Sequence, residues 1–299
     1  GYAPVLMCQQ CGWSGSCSRC DSHLTWHRSA RKLVCHHCGS WRPAPRFCPD
    51  CRADALLGAG EGTQQLEEFL EGQFEQFPVL RFDRDRTRRV GVMDRQLEQV
   101  REGEPCLLVG TQMLAKGHHF PGVTLVVIVN IDQALYSADF RALERMGQMI
   151  LQVAGRAGRM EKPGTVVLQT LHPDHVALEL LITRGYEDYA RWLLEERRAA
   201  GLPPAGFQAL LRAEAHEREL AEQFLEEAVG IFPAGEARVF GPMPAIMERV
   251  GGRSRMYLVV QGPARSSLHP QVDQWLPAVR QLKSGRKVRW AVDIDPQNL

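Results

Sequence analysis

Apolar and polar positions alternate with different periods along this chain, and each change of period marks a new element. Leu66, Phe69, Leu70 and Phe74 recur at helical spacing, which predicts a helix over 64–76. Residues 79–82 read as a strand, the charged stretch 83–89 as a loop, and 93–102 as a second helix. Three continuous apolar runs follow, at 106–109, 124–131 and 165–170. Such runs are the mark of strands buried on both faces of a parallel sheet, with helices between them. Helices are predicted over 139–155, through Phe140, Leu143, Met146 and Ile150, and over 174–200. Beyond Gly201-Leu-Pro-Pro204 the order changes. A strand at 207–213 precedes a helix at 217–231, strands at 237–240 and 255–261, a helix at 270–282 and a strand at 287–294. That β-α-β-β-α-β order is the split βαβ pattern. It predicts an α/β lobe followed by a separate α+β domain at 205–299.

A second pattern occupies the first 51 residues. Eight cysteines form four C-x₂-C pairs: Cys8/Cys11, Cys17/Cys20, Cys35/Cys38 and Cys48/Cys51. Each pair is a two-thiolate claw, and two claws complete one tetrahedral zinc site. Four claws therefore imply two structural Zn²⁺ ions. The ordinary alternative is disulfides in a secreted domain. Against it, no secretory signal is visible, and the ninth cysteine, Cys106, lies alone in an apolar run.

Four claws can be paired in three ways. Joining neighbours closes Cys8/Cys11 on Cys17/Cys20 across a short spacer and leaves two small sites with little shared core. Cross-bracing joins the first claw to the third and the second to the fourth. Nesting joins Cys17/Cys20 to Cys35/Cys38 inside Cys8/Cys11 and Cys48/Cys51. The inner nested spacing, C-x₂-C-x₁₄-C-x₂-C, comes close to the usual ribbon signature, which favours nesting. The spacer holds Leu24, Trp26, Leu33 and Val34, which suits a small hairpin packed beside the metal. His23, His27, His36 and His37 are further ligand types, but with eight thiols present they read as packing or solvated residues.

Residues 1–54 carry seven Arg/Lys against three acids, with Tyr2, Trp13, Trp26, Trp41 and Phe47 interleaved. A basic surface with aromatics fits nucleic acid or a protein partner. The same aromatics also serve a core too small to stand without metal. The chain as a whole has 299 residues and a net charge of +1, so a nucleic-acid surface must be local. The longest apolar runs are too short to span a membrane, and no targeting segment appears. Reduced claws predict a cytoplasmic protein. The chain opens at Gly1 and enters the first claw almost at once, the pattern of a fragment or of a processed chain.

Residues 152–159 read Gln-Val-Ala-Gly-Arg-Ala-Gly-Arg. This resembles motif VI of superfamily 2 helicases, Q-x-x-G-R-x-G-R, at every defined position. Two arginine forks near one another clamp phosphate oxygens, and glycines permit close backbone approach. The resemblance makes Arg156 and Arg159 arginine-finger candidates that reach ATP held by an opposing RecA-like lobe, with Gln152 and Gly155 beside the nucleotide. The ordinary reading is a solvated Gly/Arg turn. Upstream, Gly110-Thr-Gln-Met-Leu-Ala-Lys-Gly-His-His-Phe-Pro121 follows a strand and resembles motif V. Backbone amides and a hydroxyl at a strand's carboxyl end are placed to touch a DNA phosphate. Thr111, Gln112 and Lys116 are therefore the DNA-contact candidates. Where superfamily members often carry an acid after the glycine, this chain has His118 and His119.

Together with Gly62-Thr-Gln64, Phe82-Asp-Arg-Asp85, Ser137-Ala-Asp-Phe-Arg141, Leu202-Pro-Pro204, Gly241-Pro-Met-Pro244 and Val292-Asp-Ile-Asp-Pro296, these runs resemble the primosomal replication-restart helicase family over essentially the whole chain. The resemblance implies a RecA-like helicase lobe 2 formed by 1–7 and 53–204. It implies a double zinc-binding module at 8–52 inserted in that lobe, with claws paired in the nested way, and a C-terminal DNA- and partner-binding domain at 205–299. The implied partners are branched DNA (forks and D-loops), single-stranded-DNA-binding protein and primosome proteins that reload the replicative helicase. Arg265 is a candidate for that binding protein's acidic tail, and Gly251-Gly-Arg-Ser-Arg255 for branched DNA. The implied location is the cytoplasm, in association with the nucleoid.

No G-x-x-x-x-G-K-[ST] run and no D-E-x-H box occur in these residues; Glu214-Ala-His216 is a lookalike at a strand end. ATP and Mg²⁺ then bind only with a complete first lobe, and this chain alone is expected to be inactive as an ATPase. A non-catalytic DNA-binding and recruitment platform is the alternative. A zinc-ribbon RNA-binding protein would leave motifs V and VI without a purpose.

Overall fold

The structure, a computed structural model, describes residues 5–28, 30–59, 62–82, 96, 98–100, 102–111, 122–137, 139–155 and 164–297. Its contacts divide the chain into two units. The first comprises residues 1–16, 23–36 and 41–186; the second comprises 17–22, 37–40 and 187–299.

In the first unit, β1 (Val5–Cys8) pairs antiparallel with β5 (Leu56–Ala59), Val5 opposite Ala59 and Cys8 opposite Leu56. The two flanks of the cysteine-rich stretch thus run side by side. Within that stretch β2 (Thr25–His27), β3 (Lys32–Val34) and β4 (Trp41–Pro43) form an antiparallel meander. The hairpin expected from Leu24, Trp26, Leu33 and Val34 is there, with a third strand added. Leu24 and Leu33 are buried, as are five of the eight claw cysteines.

Further along, α1 (Thr63–Gln73) packs on a parallel pair formed by β6 (Val79–Phe82) and β7 (Leu107–Gly110). Glu67 of α1 is 7% exposed. Its carboxylate receives the guanidinium of Arg81 on β6 at 2.6 Å, so the buried charge is paired, as burial requires. A second parallel pair joins β8 (Leu125–Ile128) to β9 (Thr165–Leu168). Between them lie α2 (Asp132–Leu135) and α3 (Ala142–Ala154), which packs against both strands.

Three expectations need correction here. The parallel strands stand as two separate pairs among the described residues, where one sheet was expected. The strands of the second pair are also not buried on both faces. Leu125, Val127 and Val167 are 56%, 54% and 45% exposed, and exposure alternates along β8 and β9. A continuous apolar run reports hydrophobicity on both faces but not which face is covered; α3 covers one. Next, the helix expected over 174–200 is two helices, α4 (Val176–Thr183) and α5 (Gly185–Ala199). Gly185 has φ 81°, a left-handed conformation that stops α4. Apolar periodicity continues across the break, so the pattern alone does not reveal it.

The second unit contains a four-stranded antiparallel sheet in the order β11-β12-β10-β13. Its strands are β10 (Phe207–Ala215), β11 (Arg238–Val250), β12 (Arg253–Gly262) and β13 (Arg289–Ile294). Helices α6 (Arg218–Gly230) and α7 (Arg265–Gln281) complete the β-α-β-β-α-β order read from the sequence. The core lies between helices and sheet: Leu211, Phe224, Leu225, Met256, Leu258, Leu268 and Trp275 are each at most 2% exposed. Strand β11 runs ten residues beyond its expected end at residue 240. It continues through Pro242 and Pro244, with irregular register between Phe240 and Met243 and between Pro244 and Arg249. An edge strand tolerates prolines that a central strand could not. Helix α7 likewise starts five residues before residue 270, and Pro270 sits inside it rather than opening it.

Candidate metal centres

The first and last claws fold on a common backbone turn. The amide of Cys8 donates to the carbonyl of Trp13 at 2.8 Å, and the amide of Gly12 returns to the carbonyl of Cys8 at 2.9 Å. The last claw repeats this with Cys48 to Ala53 at 2.9 Å and Arg52 to Cys48 at 2.9 Å. In three claws the residue four places after the first cysteine is left-handed: Gly12 at φ 76°, Gly39 at 74° and Arg52 at 62°. Sharp turns of this kind aim both thiols of a claw at one point.

Two points result. Cys8, Cys11, Cys48 and Cys51 gather in one cluster, and Cys17, Cys20, Cys35 and Cys38 in another, with the sulfurs of each within 4.8 Å of one another. This is the nested pairing. The Sγ–Sγ separations are 3.6 Å for Cys8–Cys51, 3.5 Å for Cys11–Cys48 and 3.8 Å for Cys17–Cys38. A disulfide would require about 2.05 Å, so these pairs are not disulfide-bonded, which speaks against the disulfide alternative. A tetrahedron with Zn–S bonds of about 2.3 Å has edges of about 3.8 Å. The clusters therefore fit structural zinc. His23, His27, His36 and His37 belong to neither.

Charge points the same way. The Cys8 thiol is drawn down to about 7, above all by the backbone amide of Cys11. Cys11 is held by the Trp13 amide, yet desolvation and the thiols of Cys51, Cys48 and Cys8 push it up to about 12. The Cys51 thiol is favoured first by the Ala53 amide and is also raised on balance by burial and its neighbours. Four adjacent thiolates repel, so ionising one raises the cost of the next. A divalent cation at the centre removes that opposition.

The remaining sequence candidates are only partly described. Thr111 is exposed immediately after β7, at the strand's carboxyl end. Gln152 is exposed on the last turn of α3, and Gly155 caps that helix, donating to the carbonyl of Leu151 at 2.8 Å. Gln112, Lys116, Arg156 and Arg159 lie outside the described residues, as do His118 and His119. Arg265 bonds Asp295 at 2.9 Å and stands over the ring of Phe207 at 5.1 Å. Arg255 pairs with Glu214 at 3.1 Å.

Sequence reasoning overlooked one link. Asp132, just past β8, accepts from the hydroxyl of Thr170 and, at 3.0 Å, from the amide of Leu171, both just past β9. The Thr170 hydroxyl, then the Leu171 amide, hold its carboxyl below the usual range. The carboxyl ends of the two parallel strands are thereby tied, and the ring of the exposed Tyr136 meets His172 edge-on at 4.8 Å. An acid placed directly after an apolar run was the available signal.

Three family models match the chain in order. The PriA DNA helicase Cys-rich region domain covers 17–43, the helicase conserved C-terminal domain 55–161, and the primosomal protein N C-terminal domain 198–297. Among full-length relatives, the replication restart protein PriA of Haemophilus influenzae is 45% identical over 302 residues, which is 100% of this chain and 41% of that protein. PriA of Bacillus subtilis is 34% identical, covering 99% of this chain and 37% of the relative. PriA of Synechocystis is 37% identical, covering 88% and 33%. The chain thus spans about two fifths of the length of the first two of these curated relatives. Cysteine clusters, helicase segment and C-terminal segment converge on one assignment: the chain belongs to the replication restart protein PriA family and corresponds to its C-terminal part.

Proposed function

We propose that this chain is the portion of a replication-restart helicase that docks against a nucleotide-binding lobe and grips branched DNA. Residues 1–7 and 53–204 form a RecA-like lobe 2, 8–52 an inserted zinc module, and 205–299 a domain for DNA and partners. The observation that carries this reading is the alignment of this chain, over its own whole length, with part of the PriA proteins, together with three family matches that keep one order. The pairing of β1 with β5 supports an insertion, because the chain leaves and re-enters the lobe at one place.

Each residue has a role in this reading. Cys8, Cys11, Cys48 and Cys51 hold one Zn²⁺, and Cys17, Cys20, Cys35 and Cys38 the other; the metal supplies a cross-link that this small core lacks. Arg156 and Arg159 present guanidinium groups to the phosphates of ATP on the facing lobe, beside Gln152 and Gly155. Thr111, Gln112 and Lys116 contact the DNA backbone; the exposure of Thr111 at a strand's carboxyl end supports that placement. ATP and Mg²⁺ bind only where a complete first lobe supplies the phosphate-cradling loop. The partners are forks and D-loops, single-stranded-DNA-binding protein and primosome proteins, met in the cytoplasm at the nucleoid. No described helix is long and apolar enough to cross a membrane.

Fluorescence anisotropy tests this reading. The chain should bind a forked DNA more tightly than a plain duplex of equal length, and the preference should persist when salt weakens both. Equal affinity for the two contradicts it. The isolated chain should show no DNA-stimulated ATP hydrolysis, and measurable turnover would overturn the assignment of ATP binding to a facing lobe.

A further inference from the structure

The claw that opens with Cys17 departs from the other turns. Its first amide behaves normally, donating to the carbonyl of Ser22 at 2.9 Å. Four residues on, where Gly12 and Arg52 return to their own cysteine's carbonyl, the amide of Asp21 instead donates to the carbonyl of Arg249 at 2.9 Å. Asp21 does not take the left-handed φ found at Gly12, Gly39 and Arg52. The turn is completed from outside the claw, by residues more than 200 positions away in sequence.

Those residues form the turn between β11 and β12. Val250 pairs with Arg253, leaving Gly251 and Gly252 as a two-residue loop at φ 63° and 80°. Two positive φ values are the requirement of a type I′ hairpin turn and the reason for two glycines. Three of the loop's four backbone polar groups face the claw, and the fourth, the Gly252 carbonyl, lies 3.2 Å from His216 Nδ1. The amide of Gly252 donates to the carbonyl of Arg19 at 2.7 Å, and Arg19 Nη2 donates to the carbonyl of Gly251 at 3.1 Å. The amide of Arg249 donates to Asp21 Oδ2 at 2.7 Å. The amide of Gly251 donates to Cys20 Sγ at 3.2 Å.

We propose that the β11–β12 turn is an outer-sphere element of the Cys17/Cys20/Cys35/Cys38 centre, with the Gly251 N–H holding the Cys20 thiolate and the Asp21–Arg249 exchange holding the claw. An N–H aimed at a thiolate sulfur lowers its charge density and fixes its lone pairs, as outer partners do for metal ligands generally. The outer centre is framed by its own turns, whereas this centre is framed in part by the C-terminal hairpin. Retention of its metal and order in the hairpin are then linked. The Asp21 and Arg249 side chains are 47% and 45% exposed, so their ion pair adds little; the link is carried by the bonds of backbone N–H groups, among them the Arg249 N–H to the Asp21 carboxylate.

The proposal rests on both clusters being metal centres, and one experiment separates the two claims. The full chain is loaded with NMR-active cadmium. Two cadmium resonances in the range of four-thiolate sites support the metal reading by themselves. The Gly251 amide proton should then show scalar coupling, through the N–H···S bond, to one resonance and not to the other. In the zinc-loaded chain, Asp21→Ala should speed release of one of the two ions about tenfold and leave the other unchanged. Absence of the Gly251 coupling, or Asp21→Ala release unchanged at both sites, overturns the proposal.

Discussion

Stripping the metals with a strong chelator at neutral pH is expected to abolish amide protection across residues 8–52 while the four-stranded sheet of the second unit keeps its cooperative melt. The cysteine-rich stretch buries two large apolar side chains besides cysteine, Leu24 and Leu33, and borrows Leu6 from the flanking strand. Trp41, Phe47 and Leu57 are exposed. A core of three leucines cannot order some fifty residues against a conformational entropy cost of about 1–2 kcal/mol per residue. A structural zinc contributes about 10–16 kcal/mol in comparable small modules. Removing it also restores the repulsion among thiolates that raises Cys11 to about 12. The C-terminal sheet, by contrast, has a full apolar core of its own. Hydrogen exchange read by mass spectrometry checks both halves. In the four-stranded sheet the Arg249, Gly251 and Gly252 amides should lose protection with the claws. Unchanged protection over 17–43 in a chain shown to be metal-free would contradict the expectation.

Trp275→Ala is expected to destabilise the second unit by about 4–6 kcal/mol, the largest effect of any single substitution there. Trp275 is 1% exposed on α7, and its ring meets Phe232 edge-on at 5.1 Å. Truncating a buried tryptophan costs about 3–5 kcal/mol through lost transfer energy and the cavity left behind. The indole also has a polar task. Its Nε1 donates at 2.8 Å to the carbonyl of Ala228, in the last turn of α6, where carbonyls lack helical partners. Leaving that buried carbonyl unpaired adds about 1 kcal/mol or more. Trp275→Phe separates the two contributions: it keeps much of the ring and loses the N–H, so it should cost about 1–2 kcal/mol. Denaturant melts of the two variants decide the matter. A loss below about 1 kcal/mol for Trp275→Ala would place the core elsewhere.

The sequence conveyed some of this more readily than the rest. The claws were legible because thiol spacing admits only three pairings, and the ribbon spacing favoured the one found. The β-α-β-β-α-β order was legible because each element of the second unit keeps its period. The length of β11 was not, since Gly241-Pro-Met-Pro244 reads as a stop, and only its place at the sheet edge allows the strand to continue. The break at Gly185 was hidden by periodicity running across it. The contact between the Cys17 claw and the β11–β12 turn was hidden more deeply, because it is made largely by backbone groups, which carry no residue code. Gly251-Gly-Arg-Ser-Arg255 reads as a candidate for branched DNA, and nothing in that run tells of a contact with the claw. Likewise, Asp132 and Thr170 meet only because β8 and β9 are neighbours, a fact of topology rather than of local pattern.

The pairing of the claws is tested most directly by counting metals in paired variants. Cys8→Ser and Cys48→Ser should each remove the same zinc, so the double variant Cys8→Ser/Cys48→Ser should retain one zinc per chain, held by Cys17, Cys20, Cys35 and Cys38. If neighbouring or alternate claws shared a metal, Cys8 and Cys48 would belong to different sites, and the double variant would retain none. One zinc is the result expected from nesting; a chain emptied of zinc would contradict it.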